Sequence, residues 1–266
     1  MLWDTHMHSQ FSGDSHTPQE TMIQASIEKG LDGICFTDHL DLDYPDDSEE
    51  FFLDLPNYAA SVMALKEKYT GRFPVLFGIE LGLQPHLTAI HDEIVSQYPF
   101  DFVIGSSHVV NGYDPYFPPY WSCHGEEDGY REYFETVLEN IKVYDGYDVY
   151  GHIDYVVRYG PNKNQFYTYE KYADLIEPIL KLLVEKGKGI EINTGGFKYG
   201  LGHPNPTEEI IARYRELGGE IITIGADAHA PEHIAYDFEK VPEILKNAGF
   251  RYYTVFKERK PEFIKL

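Results

Sequence analysis

Short apolar runs alternate with longer helix-patterned segments along the chain, and this alternation limits the possible folds more than any other feature. Strands are predicted at the N-terminus, where Met1-Leu2-Trp3-Asp4-Thr5-His6-Met7-His8 begins apolar, and at 33–37, 74–79, 102–105, 149–151, 189–192, 221–224 and 252–255. Helices are predicted between them, over 18–29, 56–69, 87–98, 130–144, 169–186, 206–217 and 238–248. At the start of the first helix, Thr17 suits an N-cap, Pro18 the first helical position, and Glu20 stands three residues after the cap. Three segments read as loops: an acidic one over 41–54, an aromatic one over 112–125 and a Gly-rich one over 195–202. Strand–helix repetition means parallel strands joined by crossover helices. Seven or eight such units in 266 residues fit a single α/β domain, 1–266, built as a closed or nearly closed β/α barrel. An open doubly wound sheet is the alternative.

The chemically active residues fall at one kind of position. His6, His8, His39, Glu80, His108, His152, Asp227 and His229 each stand at or just after the C-terminal end of a predicted strand. His6 and His8 alternate along the first strand, so both imidazoles point to one face. In a β/α barrel the strand C-termini converge on the face that carries the active site. Any one of these residues has an ordinary explanation as a loop histidine, a surface carboxylate or a helix cap. Twelve histidines placed at random would instead scatter over helices, loops and both barrel faces. Imidazole and carboxylate donors without cysteine suit zinc, manganese or Fe(II). One ion takes three or four protein ligands, so the set is predicted to hold two or three divalent transition metal ions. A carboxylate such as Glu80 can bridge two of them. Clustered ions suit phosphate-ester hydrolysis, because they acidify a bridging water and neutralise phosphate oxygens.

A formal net charge of -22 argues against a protein that tracks a nucleic-acid backbone. No apolar run is long enough to span a bilayer, and no basic stretch precedes an apolar one at the N-terminus, so neither a membrane span nor a signal peptide is expected. Cys35 and Cys123 lie far apart and are expected to be free thiols in a reducing cytoplasm. Aromatic residues reach 15%, and many lie in loops where they could wall a substrate pocket.

In order, His6-x-His8, Thr37-Asp38-His39, Gly78-Ile79-Glu80, Ser107-His108, Gly151-His152 and Asp227-Ala228-His229 resemble the motifs of the PHP family, named for polymerase and histidinol phosphatase. Phe11-Ser12-Gly13-Asp14, Gly151-His152-Ile153-Asp154 and Glu191-Ile192-Asn193-Thr194 look most like its histidinol-phosphatase branch. The resemblance implies a distorted (β/α)7-type barrel and a metal-dependent phosphomonoesterase. Its reaction would be L-histidinol phosphate plus water to L-histidinol and phosphate, in histidine biosynthesis, by attack of a metal-bridging hydroxide.

The resemblance also implies a three-ion site. His6, His8, Glu80 and Asp227 would hold the first ion. Glu80 would bridge to a second, held also by His108 and His152. Asp14, His39 and His229 would hold the third. His16 is the rival of Asp14, which is preferred because it falls six residues after His8, as the family's third ligand does. Arg158, six residues after His152, stands where this branch carries an arginine that grips the phosphate. Lys198 replaces a second expected arginine. His203 and His233, in neighbouring loops, are further candidate substrate contacts. Asp227 or a neighbouring histidine is the candidate proton donor to the leaving alkoxide. Other PHP activities remain as alternatives: a protein-tyrosine phosphatase, a DNA-end nuclease, or a metal-binding domain without catalysis.

Overall fold

Eight parallel strands form one sheet in a computed structural model that describes residues 2–45, 52–123 and 125–266. The predicted strand start at Met1, positions 46–51 of the acidic loop and position 124 of the aromatic loop lie outside the described residues. The strands are β1 (Trp3–Met7), β2 (Gly33–Phe36), β3 (His39–Leu40), β4 (Val75–Gly82), β5 (Phe102–Ser106), β6 (Val149–Tyr150), β7 (Gly189–Asn193) and β8 (Ile222–Gly225). They neighbour one another in the order β1-β2-β4-β5-β6-β7-β8, and β3 continues beyond β2 along β4. The ring closes where Met7 bridges Ala228 in parallel register. There the His8 amide donates to the Ala228 carbonyl at 2.8 Å, and the Asp227 amide to the His6 carbonyl at 2.9 Å. The result is a distorted seven-position barrel rather than an open sheet.

Strands such as Gly-Ile-Cys-Phe of β2 are buried throughout, as expected for a parallel sheet covered by helices. The predicted second strand is interrupted at Thr37-Asp38. The chain then pairs again as β3, which sets His39 directly beside Glu80 on β4.

The helices are α1 (Gln19–Glu28), α2 (Leu55–Lys68), α3 (Thr88–Gln97), α4 (Pro118–Cys123), α5 (Glu126–Val143), α6 (Ala173–Glu185), α7 (Gly195–Lys198), α8 (Glu208–Glu216) and α9 (Val241–Asn247). On α6, Ile176, Ile179, Leu180 and Leu183 are buried at helical spacing. Burying each such side chain contributes about 2 kcal/mol. Two short helices, α4 and α7, occupy segments that read as loops. Thr17 does not cap α1; its hydroxyl donates to the His229 carbonyl at 3.3 Å instead. Among the described residues, no helix is long and apolar enough to cross a membrane.

The chain ends in an antiparallel hairpin of β9 (Tyr252–Lys257) and β10 (Lys260–Lys265), of which only the first strand was expected. Its turn, Glu258-Arg259, has positive φ at both residues (48° and 61°) without Gly or Asn to signal it. The turn closes the N-terminal end of the barrel. The Glu258 amide donates to Asp101 Oδ1 (3.1 Å), and Arg259 Nε to Asp148 Oδ2 (2.5 Å). Asp101 and Asp148 immediately precede β5 and β6, so the C-terminal face stays free for a site.

Candidate metal centre

Glu80 stands near the end of β4 with both carboxylate oxygens buried among imidazoles. Its Oε2 lies 3.1 Å from His6 Nε2, 3.0 Å from His39 Nδ1 and 3.5 Å from His8 Nε2. Its Oε1 lies 2.9 Å from His152 Nε2 and 3.4 Å from His108 Nε2, and it accepts from Ser106 Oγ at 2.7 Å. The two oxygens therefore face two different groups of histidines. Asp227, in the left-handed region at φ 55°, turns Oδ1 toward His8 Nε2 (3.4 Å) and His6 Nε2 (3.7 Å). A non-glycine residue held in that region is a strained conformation of the kind that clusters at functional sites.

The outer nitrogens of these rings are anchored. His6 Nδ1 lies 2.7 Å from Glu191 Oε1, and His108 Nδ1 2.8 Å from Asp41 Oδ1. His8 Nδ1 lies 3.0 Å from Ser12 Oγ, whose own hydroxyl donates to Asp38 Oδ1 at 2.9 Å. His229 Nδ1 lies 3.0 Å from the Asp227 carbonyl. Each partner accepts a hydrogen bond, so these rings carry Nδ1–H and turn an Nε2 lone pair inward. His6 Nε2 and His8 Nε2 then face each other across 3.1 Å, an arrangement that calls for a cation between them. Among the described residues, buried His108 Nε2 and His229 Nε2 make no well-directed hydrogen bond, although each faces a carboxylate oxygen, of Glu80 at 3.4 Å and of Asp14 at 3.0 Å. Among the described residues, five triads of ligand atoms lie within 4.8 Å: His6-His8-Glu80, His6-His152-Asp227, Glu80-His108-His152, His8-His39-His229 and His39-Asp41-His108. The donor set fits more than one divalent ion, and one ion would leave most of it unsatisfied.

The electrostatics carry the same crowding. Burial works against ionising Glu80, yet His6, His39 and His108 hold its carboxyl well below the usual range. Burial and the neighbouring His229 and His39 push His8 well down, which leaves its Nε2 lone pair free. Burial also opposes the charge on Asp227, but Arg158 and His6 hold that carboxyl well below its ordinary value.

The predicted residues assemble unevenly. Asp14 reaches the cluster, with Oδ2 3.0 Å from His229 Nε2 and 3.7 Å from His39 Nε2. His16 is exposed and is not part of the cavity wall. Arg158 is buried and donates from Nε to Asn205 Oδ1 (2.8 Å), from one terminal nitrogen to Asp227 Oδ2 (2.6 Å) and from the other to Asn193 Oδ1 (2.8 Å). Lys198 Nζ lies 3.3 Å from the Asp227 carbonyl. Arg158, Lys198 and His233 line a cavity of about 620 Å³ above the cluster, walled by Tyr44, Tyr116, Phe117, Tyr155, Tyr159 and Tyr199. His203 is not in that wall; its Nδ1 lies 2.6 Å from the Pro204 carbonyl.

The sequence reading gave no site role to Glu191, Asp41, Asn193 or Asn205. Glu191 carried a readable signal, since it is a charged residue inside the apolar strand Gly-Ile-Glu-Ile-Asn. Asp41 sits in an acidic run that hides it.

The PHP domain family model matches residues 4–195. The chain belongs to the PHP family. This PHP chain is 34% identical over 263 residues to a Clostridium acetobutylicum protein named "Probable histidinol-phosphatase", covering 98% of both chains. It is 30% identical over 261 residues to the histidinol-phosphatase of Lactococcus lactis, covering 97% of this chain and 95% of that one. Among solved structures, its fold matches histidinol phosphate phosphatase from Lactococcus lactis, crystallised with zinc, L-histidinol and phosphate. The TM-score is 0.91 at 29% identity, covering 98% of each chain.

Proposed function

We propose that this PHP chain is a histidinol-phosphatase, a metal-dependent phosphomonoesterase that hydrolyses L-histidinol phosphate to L-histidinol and phosphate in histidine biosynthesis. In this reading, residues 1–266 act as one barrel domain in the cytoplasm. The observation that carries it is the two-sided carboxylate of Glu80, set between two groups of histidines beneath a cavity that also presents Arg158 and Lys198. The likeness along the whole chain to a phosphatase crystallised with zinc, L-histidinol and phosphate supports the substrate.

We assign His6, His8, Glu80 and Asp227 to a first divalent ion and Glu80, His108 and His152 to a second. Asp14, His39 and His229 take a third, the ions being zinc, manganese or iron. When bound, such ions acidify water and neutralise phosphate oxygens. The chain's own residues orient the ester. A guanidinium has five N–H donors, and Arg158 spends three on Asn205, Asp227 and Asn193. Two remain, and Arg158 lines the cavity where phosphate oxygens could accept them. Lys198 adds a point charge on the same side of the cavity. Because the Arg158 guanidinium lies 2.6 Å from Asp227 and favours its ionised form, we assign the proton for the leaving alkoxide to a neighbouring histidine rather than to Asp227. His233 lines the cavity with a buried Nδ1 that has no hydrogen-bond partner among the described residues.

The test is a panel of phosphomonoesters compared by kcat/KM. Histidinol phosphate should lead the panel by a wide margin. Phosphotyrosine peptides in first place would overturn the assignment.

A further inference from the structure

The cavity contains four carboxylates, and three of them have evident partners. Asp14 and Asp41 face histidines, and Asp227 meets Arg158. Among the described residues, Asp114 alone of the four forms no ion pair. It is 6% exposed, so its charge is almost fully removed from water. Neutral donors hold it. Tyr44 donates its hydroxyl to Oδ2 at 2.6 Å, the Tyr116 amide donates to Oδ1 at 2.7 Å, and the Tyr155 hydroxyl lies 3.5 Å from Oδ1. Such donors fix the direction of a carboxylate without supplying counter-charge, and a desolvated charge without a counter-ion is costly. Burial accordingly raises the pKa of this carboxyl.

Asp114 also stands at a definite place relative to the ions' ligands. The Tyr155 ring lies 5.3 Å from His108 and 5.1 Å from His152, centroid to centroid, while its hydroxyl points back toward Asp114. The metal-ligand cluster and Asp114 are thus separated by about the length of one tyrosine side chain. Arg158 and Lys198 draw an anion to the cluster end. At the Asp114 end, a carboxylate without a counter-ion, in a wall that also includes Tyr44 and Tyr116, suits a cation. A phosphomonoester with a positively charged nitrogen a few bonds from the phosphate matches this polarity.

We infer that Asp114 is a specificity-determining residue that receives the cationic nitrogen of the leaving alcohol, with Tyr44 and Tyr155 positioning its carboxylate. The inference rests on the phosphatase reading of the site. It goes further by giving the enzyme a reason to prefer cationic over neutral alcohols of similar size.

The test compares wild type with Asp114→Asn on four esters. These are histidinol phosphate, an imidazolyl-alkyl phosphate without the amine, an aminoalkyl phosphate without the imidazole, and neutral p-nitrophenyl phosphate. A charge-assisted hydrogen bond is worth a discrimination of roughly 10–100-fold, so the cationic-to-neutral ratio of kcat/KM should fall by that factor in Asp114→Asn. Whichever single-cation ester shows the fall identifies the nitrogen that Asp114 reads. A ratio that stays within about threefold overturns the inference, since neutral recognition would not need the charge. If wild type prefers another cationic ester to histidinol phosphate, the substrate assignment fails while the ratio still decides the role of Asp114. A wild type that hydrolyses none of the four overturns both. Should Asp114→Asn fail to fold, product competition in wild type decides. L-histidinol should then inhibit p-nitrophenyl phosphate hydrolysis far more strongly than a neutral alcohol of the same size, and equal inhibition overturns the inference.

Discussion

Glu191 Oε1 and His6 Nδ1 meet at 2.7 Å, both fully buried, where β7 and β1 reach the ligand face of the barrel. The other oxygen of Glu191 accepts from the His152 amide and from Asn193 Nδ2, each at 3.0 Å. One carboxylate therefore fixes the tautomer of His6 and ties its strand to the start of the His152 loop. Gly225 permits the approach: a Cβ there would lie 2.2 Å from Glu191 Oε1 and 2.4 Å from His6 Cβ.

Glu191→Gln should keep the fold and weaken the grip on the ion at His6. Loss of an outer-sphere carboxylate of this kind costs about 10–100-fold in metal affinity. Activity should then need more added metal to reach its plateau, with the plateau itself less affected. Titration of activity against free zinc or manganese measures the shift. An unchanged curve would mean that Glu191 does not govern the histidine.

Glu80 supplies the stronger test of ion number. Purified wild type should carry more than one transition-metal equivalent per chain by elemental analysis. Because the two oxygens of Glu80 face separate groups of histidines, Glu80→Ala should lose more than one equivalent rather than one. Chelation should abolish activity and added divalent metal should restore it. His152→Ala and Asp227→Asn should likewise abolish activity while leaving the circular dichroism spectrum intact. One equivalent or none in wild type would remove the multi-ion reading.

The residues legible in the sequence were those whose position depends on topology alone. Once alternating strands and helices imply a barrel, every strand end lies on one face, and His6, Glu80, His108 and Asp227 converge without further information. What topology does not specify stayed hidden. Which nitrogen of each histidine turns inward depends on Glu191, Asp41 and Ser12, and these are contacts between distant segments. Arg158 was legible as a cation near the site, but its three bonds to Asn205, Asp227 and Asn193 were not. The terminal hairpin was missed for a local reason, because Glu258-Arg259 adopts left-handed backbone without the residues that usually announce it.

His91 gives the barrel a pH dependence of its own, set chiefly by burial and opposed by the charge of Asp41. It is the one buried residue on α3, its Nε2 has no hydrogen-bond partner among the described residues, and burial pushes its pKa from the usual 6.5 down to about 4. Between those values the unfolded chain binds a proton that the folded chain does not. This contribution is therefore intact above pH 6.5 and is lost as pH falls toward 4. His91→Leu should gain stability relative to wild type over that window, by up to about 1.4 kcal/mol per pH unit. Chemical denaturation of both proteins at pH 7, 6 and 5 measures the difference, and a gap that does not change with pH would refute it.

Arg259 tests whether the hairpin matters to the barrel independently of the site. Its Nε reaches Asp148 Oδ2 at 2.5 Å, and the same carboxylate oxygen accepts from the Val103 amide at 2.8 Å. Asp148 is 8% exposed, so removing the guanidinium leaves a mostly buried carboxylate with less counter-charge. Arg259→Ala should lose about 2 kcal/mol, less than a fully buried pair because the arginine is partly solvated. For a chain of this size that corresponds to a Tm lower by about 4–8 °C. The hairpin closes the barrel end opposite the metal cluster, so kcat/KM below the melting transition should match wild type. A loss of activity without a loss of Tm would place Arg259 in the function of the site rather than in the closure of the barrel.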